Sequence, residues 1–290
     1  MKKKGFKTIA VSAVTGCILL SLSATTFANT GSGYGDYKAA VEATMMAKNA
    51  TIAAQYEVTD QGAIILSGNS TQMRNNNDKS SKTSVTVDGI TKASETSAVN
   101  GNFITEADGK YFSTTKGNGK SEGAQRANLT ASSSSVKLAE MLADTLVGGV
   151  KTSFVENGQT ISVNLQGDQI PELARLALSA AAENSNHTGD YKNNVKQGPG
   201  ESMKPMMDKM PKLTNIDVKS IAMTATVDGT TLKDNEFTVA ITGKDASGVT
   251  HEITVKLNAK ITDVGTTKVA GIDTTGKQVS TIVAGNHSNK

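Results

Sequence analysis

Residues 249–261 read VTHEITVKLNAKI and form the longest alternating pattern in the chain. Apolar side chains and one histidine occupy every second position, and mostly polar residues stand between them. A two-residue period places the two sets on opposite faces of a β-strand, so this stretch predicts a long, half-buried strand. A strand of this length favours a strongly curved sheet or a partial barrel over a flat sandwich.

Shorter alternating stretches lie on the N-terminal side of this one. Asp-Gly and Asn-Gly pairs, which supply the positive φ angles of tight hairpins, recur at 88–89, 100–101 and 108–109. Between such turns we expect an antiparallel meander. Its candidate strands are 50–58, 63–73, 81–88, 90–99, 102–107, 110–115, 221–227 and 237–241.

Three segments have the spacing of amphipathic helices. We expect helices at 36–48, capped by Asp36, at 135–147, and at 169–184, capped by Asp168. A hairpin pairing 150–154 with 161–165 around Asn157-Gly158 lies between the last two. Strands and helices do not alternate regularly. The predicted class is therefore α+β, with about eleven antiparallel strands and about three helices.

Residues 1–28 have the pattern of a secretory signal peptide. Lys2, Lys3, Lys4 and Lys7 precede an apolar run, and Thr26-Phe27-Ala28 offers small residues at a cleavage site. We expect cleavage after Ala28. An uncleaved membrane anchor is one alternative, and Val14-Thr15-Gly16-Cys17 resembles a lipobox in which Cys17 would be lipidated.

Cleavage changes the charge of the chain. The 290 residues contain 30 basic and 27 acidic side chains, whereas residues 29–290 contain 26 and 27 and have a formal charge of −1. The basic pI near 8.7 therefore belongs to the signal peptide, and the electrostatic argument for nucleic-acid binding disappears. The remaining chain has no Cys, which is typical of an exported protein from a bacterium, here a Gram-positive one.

The predicted organisation is one domain with two segments before it and one after it. In order, we expect a signal peptide (1–28), a flexible leader (29–35), a domain (36–270) and a C-terminal tail (271–290). The domain divides into an N-terminal half (36–115), a linker (116–133) and a C-terminal half (134–270).

Three stretches resemble the LolA/LppX-like superfamily of exported bacterial proteins. They are DYKAA at 36–40, IDVKSIAMTATVDG at 216–229, and EFTVAITGKDASGVTHEITVKLNAKITDVGTT at 236–267, which are similar to Firmicutes members. The resemblance implies a half-barrel of about eleven strands with helices on the concave side, and a lipid or acyl chain as ligand. The near-neutral charge and 4% aromatic content depart from LolA itself.

A lipophilic ligand would lie between the sheet and the helices. The candidate cavity-lining residues come from predicted helices, inward strand positions and a Met-rich segment. They are Leu138, Met141, Leu142, Phe154, Val163, Leu173, Leu176, Ala177, Met203, Met206, Met207, Met210, Ile253 and Leu257. The four Met side chains within MKPMMDKM favour packing or cavity lining, and Cu(I) binding by thioethers is the alternative.

His251 is the one polar residue among the inward positions of the long strand. It is either a pH-sensitive group that faces a ligand or a hydrogen-bonded residue at the rim or in the core. No nucleophile elbow, zinc motif or Cys nucleophile occurs, so we predict neither a cofactor nor a reaction. The leading hypothesis is an exported, non-enzymatic protein that binds a lipophilic ligand. A ligand-free structural or protein-interaction module of the cell envelope is the alternative.

Overall fold

The computed structural model describes residues 33–116, 150–172, 174–176, 179, 211 and 213–284. Twelve strands form one continuous sheet in the order β12-β6-β5-β4-β3-β2-β1-β11-β10-β9-β8-β7. Neighbouring strands are antiparallel except β12, which pairs in parallel with β6. The strands are β1 (Asn49–Asp60), β2 (Ala63–Asn75), β3 (Asp78–Val87), β4 (Ile90–Val99), β5 (Asn102–Ala107), β6 (Lys110–Lys116), β7 (Val155–Asn157), β8 (Thr160–Gln166), β9 (Thr214–Asp228), β10 (Thr231–Lys244), β11 (Thr250–Thr262) and β12 (Val279–Ala284).

The predicted turn pairs join the N-terminal strands. Asp88-Gly89, Asn100-Gly101 and Asp108-Gly109 have positive φ at both residues, as a two-residue hairpin turn requires. These turns place Val99 opposite Asn102 and Ala107 opposite Lys110. The local sequence therefore sets the register of β3 to β6.

The sheet has one apolar and one polar face, and the alternating residues of β11 identify the two faces. Val255 lies opposite Val58 of β1 and Val239 of β10, so their side chains share one face. Lys256 lies opposite Glu57 and Thr238, and these side chains share the other face. We call these the apolar face and the polar face.

Helix α1 (Gly33–Met46) covers part of the apolar face, over β7 to β10. Its buried side chains include Tyr37, Ala40, Val41 and Thr44, which recur at helical spacing. The Thr44 hydroxyl accepts a hydrogen bond from the Leu232 amide of β10. The C-terminal end of the helix is also held by β2, because Arg74 donates to the carbonyls of Met45 and Thr44.

Two clusters of buried apolar side chains occupy this face. The first cluster joins α1 to β8, β9, β10 and the nearer part of β11. The second cluster centres on β1, β2, β3 and the other end of β11, and its members are Val58, Leu66, Val85, Val87, Leu213, Ile253 and Val255. Tyr56 packs against both clusters and marks the boundary between them.

The expected half-barrel of about eleven strands with about three helices on its concave side is wrong. The sheet is open, since its edge strands β12 and β7 do not pair with each other. It is mixed and twelve-stranded because residues 279–284 of the predicted tail add a parallel strand beside β6. In the described residues, helical backbone of the α type occurs only in α1 and at 172, 174–176 and 179. The predicted helix at 135–147 lies outside the described residues.

The predicted hairpin at 150–165 is shorter than expected. Residues Lys151–Ser153 form a single 3-10 turn, and only Val155–Asn157 pair with β8. Asp168 lies in a second 3-10 turn, Gly167–Gln169, instead of capping an α-helix. The side chain of Gln169 accepts a hydrogen bond from the Gln166 amide there, which satisfies the turn locally. No helix in the described part of the chain is long and apolar enough to span a membrane.

Candidate functional site

A polar cluster lies where three segments meet at one end of the sheet. Asp60 ends β1, His251 is the second residue of β11, and Asp245 follows β10. His251 Nδ1 is 2.6 Å from Asp60 Oδ2, and its Nε2 is 3.6 Å from Asp245 Oδ2. The three side chains are between 17% and 28% exposed, so the imidazole lies between two carboxylates and is only partly accessible to solvent.

The β10–β11 turn places Asp245 beside the histidine. Its carboxylate accepts hydrogen bonds from the amides of Ser247 and Val249, at 2.8 and 2.9 Å. Gly248, at φ +84, lets the chain reverse within this turn. The neighbouring β1–β2 turn is joined to β11 as well, because Gln61 donates to the carbonyls of Glu252 and Thr250.

The charges of the cluster shift the pKa values of its members. The hydrogen bond to Asp60 raises the pKa of His251 above its ordinary value, in opposition to the effect of burial. The backbone amide of Val249 lowers the pKa of Asp245, and His251 contributes to that shift. The cluster therefore favours an imidazolium between two carboxylates.

This arrangement suits an ion pair better than proton transfer to a substrate. A general base needs a free lone pair on the imidazole, and both ring nitrogens of His251 face carboxylates. His251 Nε2 and Asp60 Oδ1 are buried and lack a hydrogen-bond partner within the protein. Among the residues that the structure describes, no group of three or more His, Cys, Asp or Glu side chains could hold a metal ion.

The second cluster adjoins this polar cluster on the apolar face. Ile253 lies opposite Asp60 in the β1–β11 register and is buried with Val255 and Leu66. At the other end of the second cluster, the Tyr56 ring lies across Gly68. A Cβ added at Gly68 would stand 2.4 Å from this ring and from the Ser84 carbonyl oxygen. The missing side chain at Gly68 is therefore what makes room for Tyr56.

The structure places four of the predicted cavity-lining residues in apolar packing on this face. Phe154, Val163 and Leu257 pack in or against the first cluster, and Ile253 belongs to the second. Phe154 also contacts the rings of Tyr34 and Tyr37, with centroids 5.1 and 6.0 Å away. Leu176, in contrast, is 56% exposed. The others lie outside the described residues: Leu138, Met141, Leu142, Leu173, Ala177, Met203, Met206, Met207 and Met210.

Two members of the polar cluster were missed by the sequence pattern. Asp60 precedes Gln61-Gly62, and Asp245 precedes Ala246-Ser247-Gly248, so both read as ordinary turn residues. Asp60 approaches His251 only because β1 pairs with β11 across 191 positions of sequence, whereas Asp245 reaches it within the β10–β11 turn. Of the two roles predicted for His251, the structure supports the hydrogen-bonded residue.

Comparisons with known proteins identify no family. Neither a protein-family model nor a curated protein matches the chain. A search of solved structures returns matches with very low TM-scores. One is a tesB protein from Mycobacterium avium subspecies paratuberculosis, which is 7% identical to this chain and has a TM-score of 0.14. The match covers 85% of this chain and 98% of that chain. A hot dog fold protein from Alicyclobacillus acidocaldarius has 10% identity, 84% and 97% coverage, and a TM-score of 0.12. TM-scores this low do not establish a common fold.

Proposed function

We propose that this protein is an exported, non-enzymatic module of the bacterial cell envelope that acts by binding another protein. The observation that carries the proposal is the filled interface between α1 and the sheet. Ala40, Val41 and Ile161 are at most 3% exposed there, and Val163 and Leu257 pack into the same cluster. Side chains of the protein therefore fill the space that a ligand beneath α1 would need.

Export rests on the signal-peptide pattern of residues 1–28. The absence of an enzymatic role is supported by the chemistry of the polar cluster, since His251 between Asp60 and Asp245 is held as an ion pair. A protein-binding module needs neither a cavity nor a reactive group. It needs an accessible surface on a stable scaffold.

Binding of a lipophilic ligand is the second candidate. It is favoured by the extent of the apolar face, which continues beyond α1 into the second cluster around Val58, Leu66 and Ile253. The resemblance to LolA/LppX-like proteins also points to this function. A ligand would have to reach the second cluster, because α1 already occupies the first.

Native mass spectrometry of protein recovered from its host separates the two candidates. For the protein-binding module we expect the mass of the polypeptide with no co-purifying acyl chain, and no saturable binding of a fluorescent fatty acid after delipidation. A stoichiometric lipid adduct that is lost on delipidation and restored by the fatty acid would overturn this proposal in favour of the second candidate. The same spectrum reports whether cleavage occurs after Ala28 or lipidation at Cys17.

A further inference from the structure

The two ends of the sheet differ in their capacity to pair with another strand. At one end, β7 has only three residues, all exposed, and includes the charged Glu156. At the other end, β12 has six residues, VSTIVA, without a charge or a proline, and four of them are β-branched. Short and charged edges prevent strand addition, and long uncharged edges permit it. Among the described strands, none pairs with the outer edge of β12.

The segment that precedes β12 is anchored to the sheet at two points. From the end of β11, this segment runs past the first residues of β1, where Asn49 Nδ2 donates to the Thr267 carbonyl and the Thr267 amide donates to Asn49 Oδ1. Further on, the Ile272 amide donates to the Ser97 hydroxyl of β4. The pairing of residues 279–284 with β6 orders the backbone of β12, which lowers the entropy cost of adding a further strand.

We propose that the outer edge of β12 pairs with the same edge of a second copy, antiparallel and about a two-fold axis through Thr281. This inference rests on the protein-binding function proposed above and names the partner. A second copy fits because β12 has no charge to oppose its own counterpart. The alternative of head-to-tail growth would pair β12 with β7, and the three residues of β7 offer too little length.

The register follows from the faces of the sheet. A two-fold axis centred on a residue places odd-numbered positions opposite odd-numbered ones, so the apolar faces of both sheets stay on the same side. Thr281 then lies opposite its own counterpart, and Val279 lies opposite position 283 of the second copy. A contact of six residues is smaller than a stable dimer interface, so the association is concentration-dependent and not obligate.

Disulfide trapping at the axis tests this geometry in the full chain. With the single Cys17 replaced by Ser, Thr281→Cys places two thiols opposite each other, and we expect a covalent dimer under mild oxidation. Asn69→Cys is the matched control, because Asn69 is exposed in β2, whose edges are both already paired. We expect the covalent dimer to form at least about tenfold faster at 281 than at 69. Equal rates would overturn the proposal.

The second measurement is the oligomeric state, determined by sedimentation, of the chain without the engineered cysteine. Thr281→Lys places like charges opposite each other at the axis, and we expect it to stay monomeric at concentrations where the wild type and Thr281→Ser associate. A wild type that stays monomeric throughout, or a Thr281→Lys variant that associates equally well, would contradict the proposed pairing. A lipid adduct in native mass spectra would defeat the proposed function without affecting this result, so the two failures are distinguishable.

Discussion

At the scale of single residues, the environment of a side chain decides what it does. His251 lies in a strand of apolar inward positions, yet the carboxylates of Asp60 and Asp245 surround it. Gly68 lies in the middle of β2, where glycine normally weakens a strand, yet its missing Cβ makes room for Tyr56. His251 thereby joins β11 to the distant end of β1, and Gly68 lets the consecutive strands β1, β2 and β3 pack closely.

The His251 ion pair should make stability depend on pH. Because the folded-state pKa is raised above 6.5, the ion pair stabilises the fold fully below that pH and is lost as the pH rises through the folded-state value. We expect the urea midpoint of the wild type to fall between pH 6 and pH 9, and His251→Gln to reduce this fall. An equal fall in both proteins would show that other groups cause it.

Replacing Gly68 by Ala should destabilise the protein strongly. The new Cβ would stand 2.4 Å from the Ser84 carbonyl oxygen, which is backbone and cannot rotate away. We expect the free energy of unfolding to fall by about 1–3 kcal/mol, the usual cost of overpacking. Gly271→Ala is the control, since its Cβ would meet only Val99 Cβ at 3.7 Å. Equal denaturation midpoints for the two variants would contradict this account of Gly68.

At the scale of elements, α1 is a helix whose two ends are held by different segments of the chain, namely the residue before β7 and strand β2. Tyr34 at the N-terminal end contacts Phe154, and Arg74 of β2 donates to carbonyls at the C-terminal end. A cation at a helix C-terminus also interacts favourably with the helix dipole. The helix therefore connects the C-terminal strands to the N-terminal ones, although it covers only β7 to β10.

Because the interface beneath α1 is filled, we expect two neighbouring alanines of this helix to respond differently to enlargement. Ala40 is fully buried against the sheet, and Ala39 is exposed on the same helix. We expect Ala40→Leu to lower the free energy of unfolding by about 1–3 kcal/mol through overpacking, and Ala39→Leu to have little effect. Chemical denaturation measures both. An Ala40→Leu variant as stable as the wild type would reveal space for a ligand beneath the helix.

At the scale of the whole molecule, the C-terminal segment joins the middle of the sheet to its far edge. It leaves β11, passes β1 and β4, and ends as β12 beside β6. Antiparallel hairpins join the neighbouring segments β1 to β6, β7 to β8 and β9 to β11, whereas this return, like the pairing of β1 with β11, connects strands that are distant along the chain. The position of β12 therefore depends on the contacts that the segment makes along its path.

Loss of the Asn49 side chain should loosen this segment. Asn49→Ala removes both hydrogen bonds to Thr267, each of which contributes about 0.5–1.5 kcal/mol. We expect faster amide hydrogen exchange in residues 279–284, with little change in β10. Asn69→Ala, at an exposed position of β2, serves as the control. Unchanged exchange at 279–284 in Asn49→Ala would mean that β6 alone holds the edge strand.

Most strand positions could be predicted from the sequence because their signals are local. β3 to β6 are separated by Asp-Gly and Asn-Gly pairs, and β11 follows the alternation of residues 249–261 within one residue at each end. The spacing of Tyr37, Ala40, Val41, Thr44 and Met45 predicted the helix at 36–48. The first four side chains are buried in α1, whereas Met45 is 43% exposed. Period and turn chemistry are properties of neighbouring residues, so tertiary contacts are not needed to recognise them.

The sequence by itself therefore determined where the meander strands lie, which side of β11 is apolar, and that residues 1–28 have a signal-peptide pattern. Only the tertiary structure decided that the sheet stays open, that residues 279–284 join it in parallel, and that Asp60 lies beside His251. Those outcomes depend on pairings between distant segments. The free energy of these pairings comes from side chains that are buried only when the whole sheet has formed in the correct register. No local pattern encodes these pairings, because each half of a contact looks like an ordinary strand or turn until the other half lies beside it.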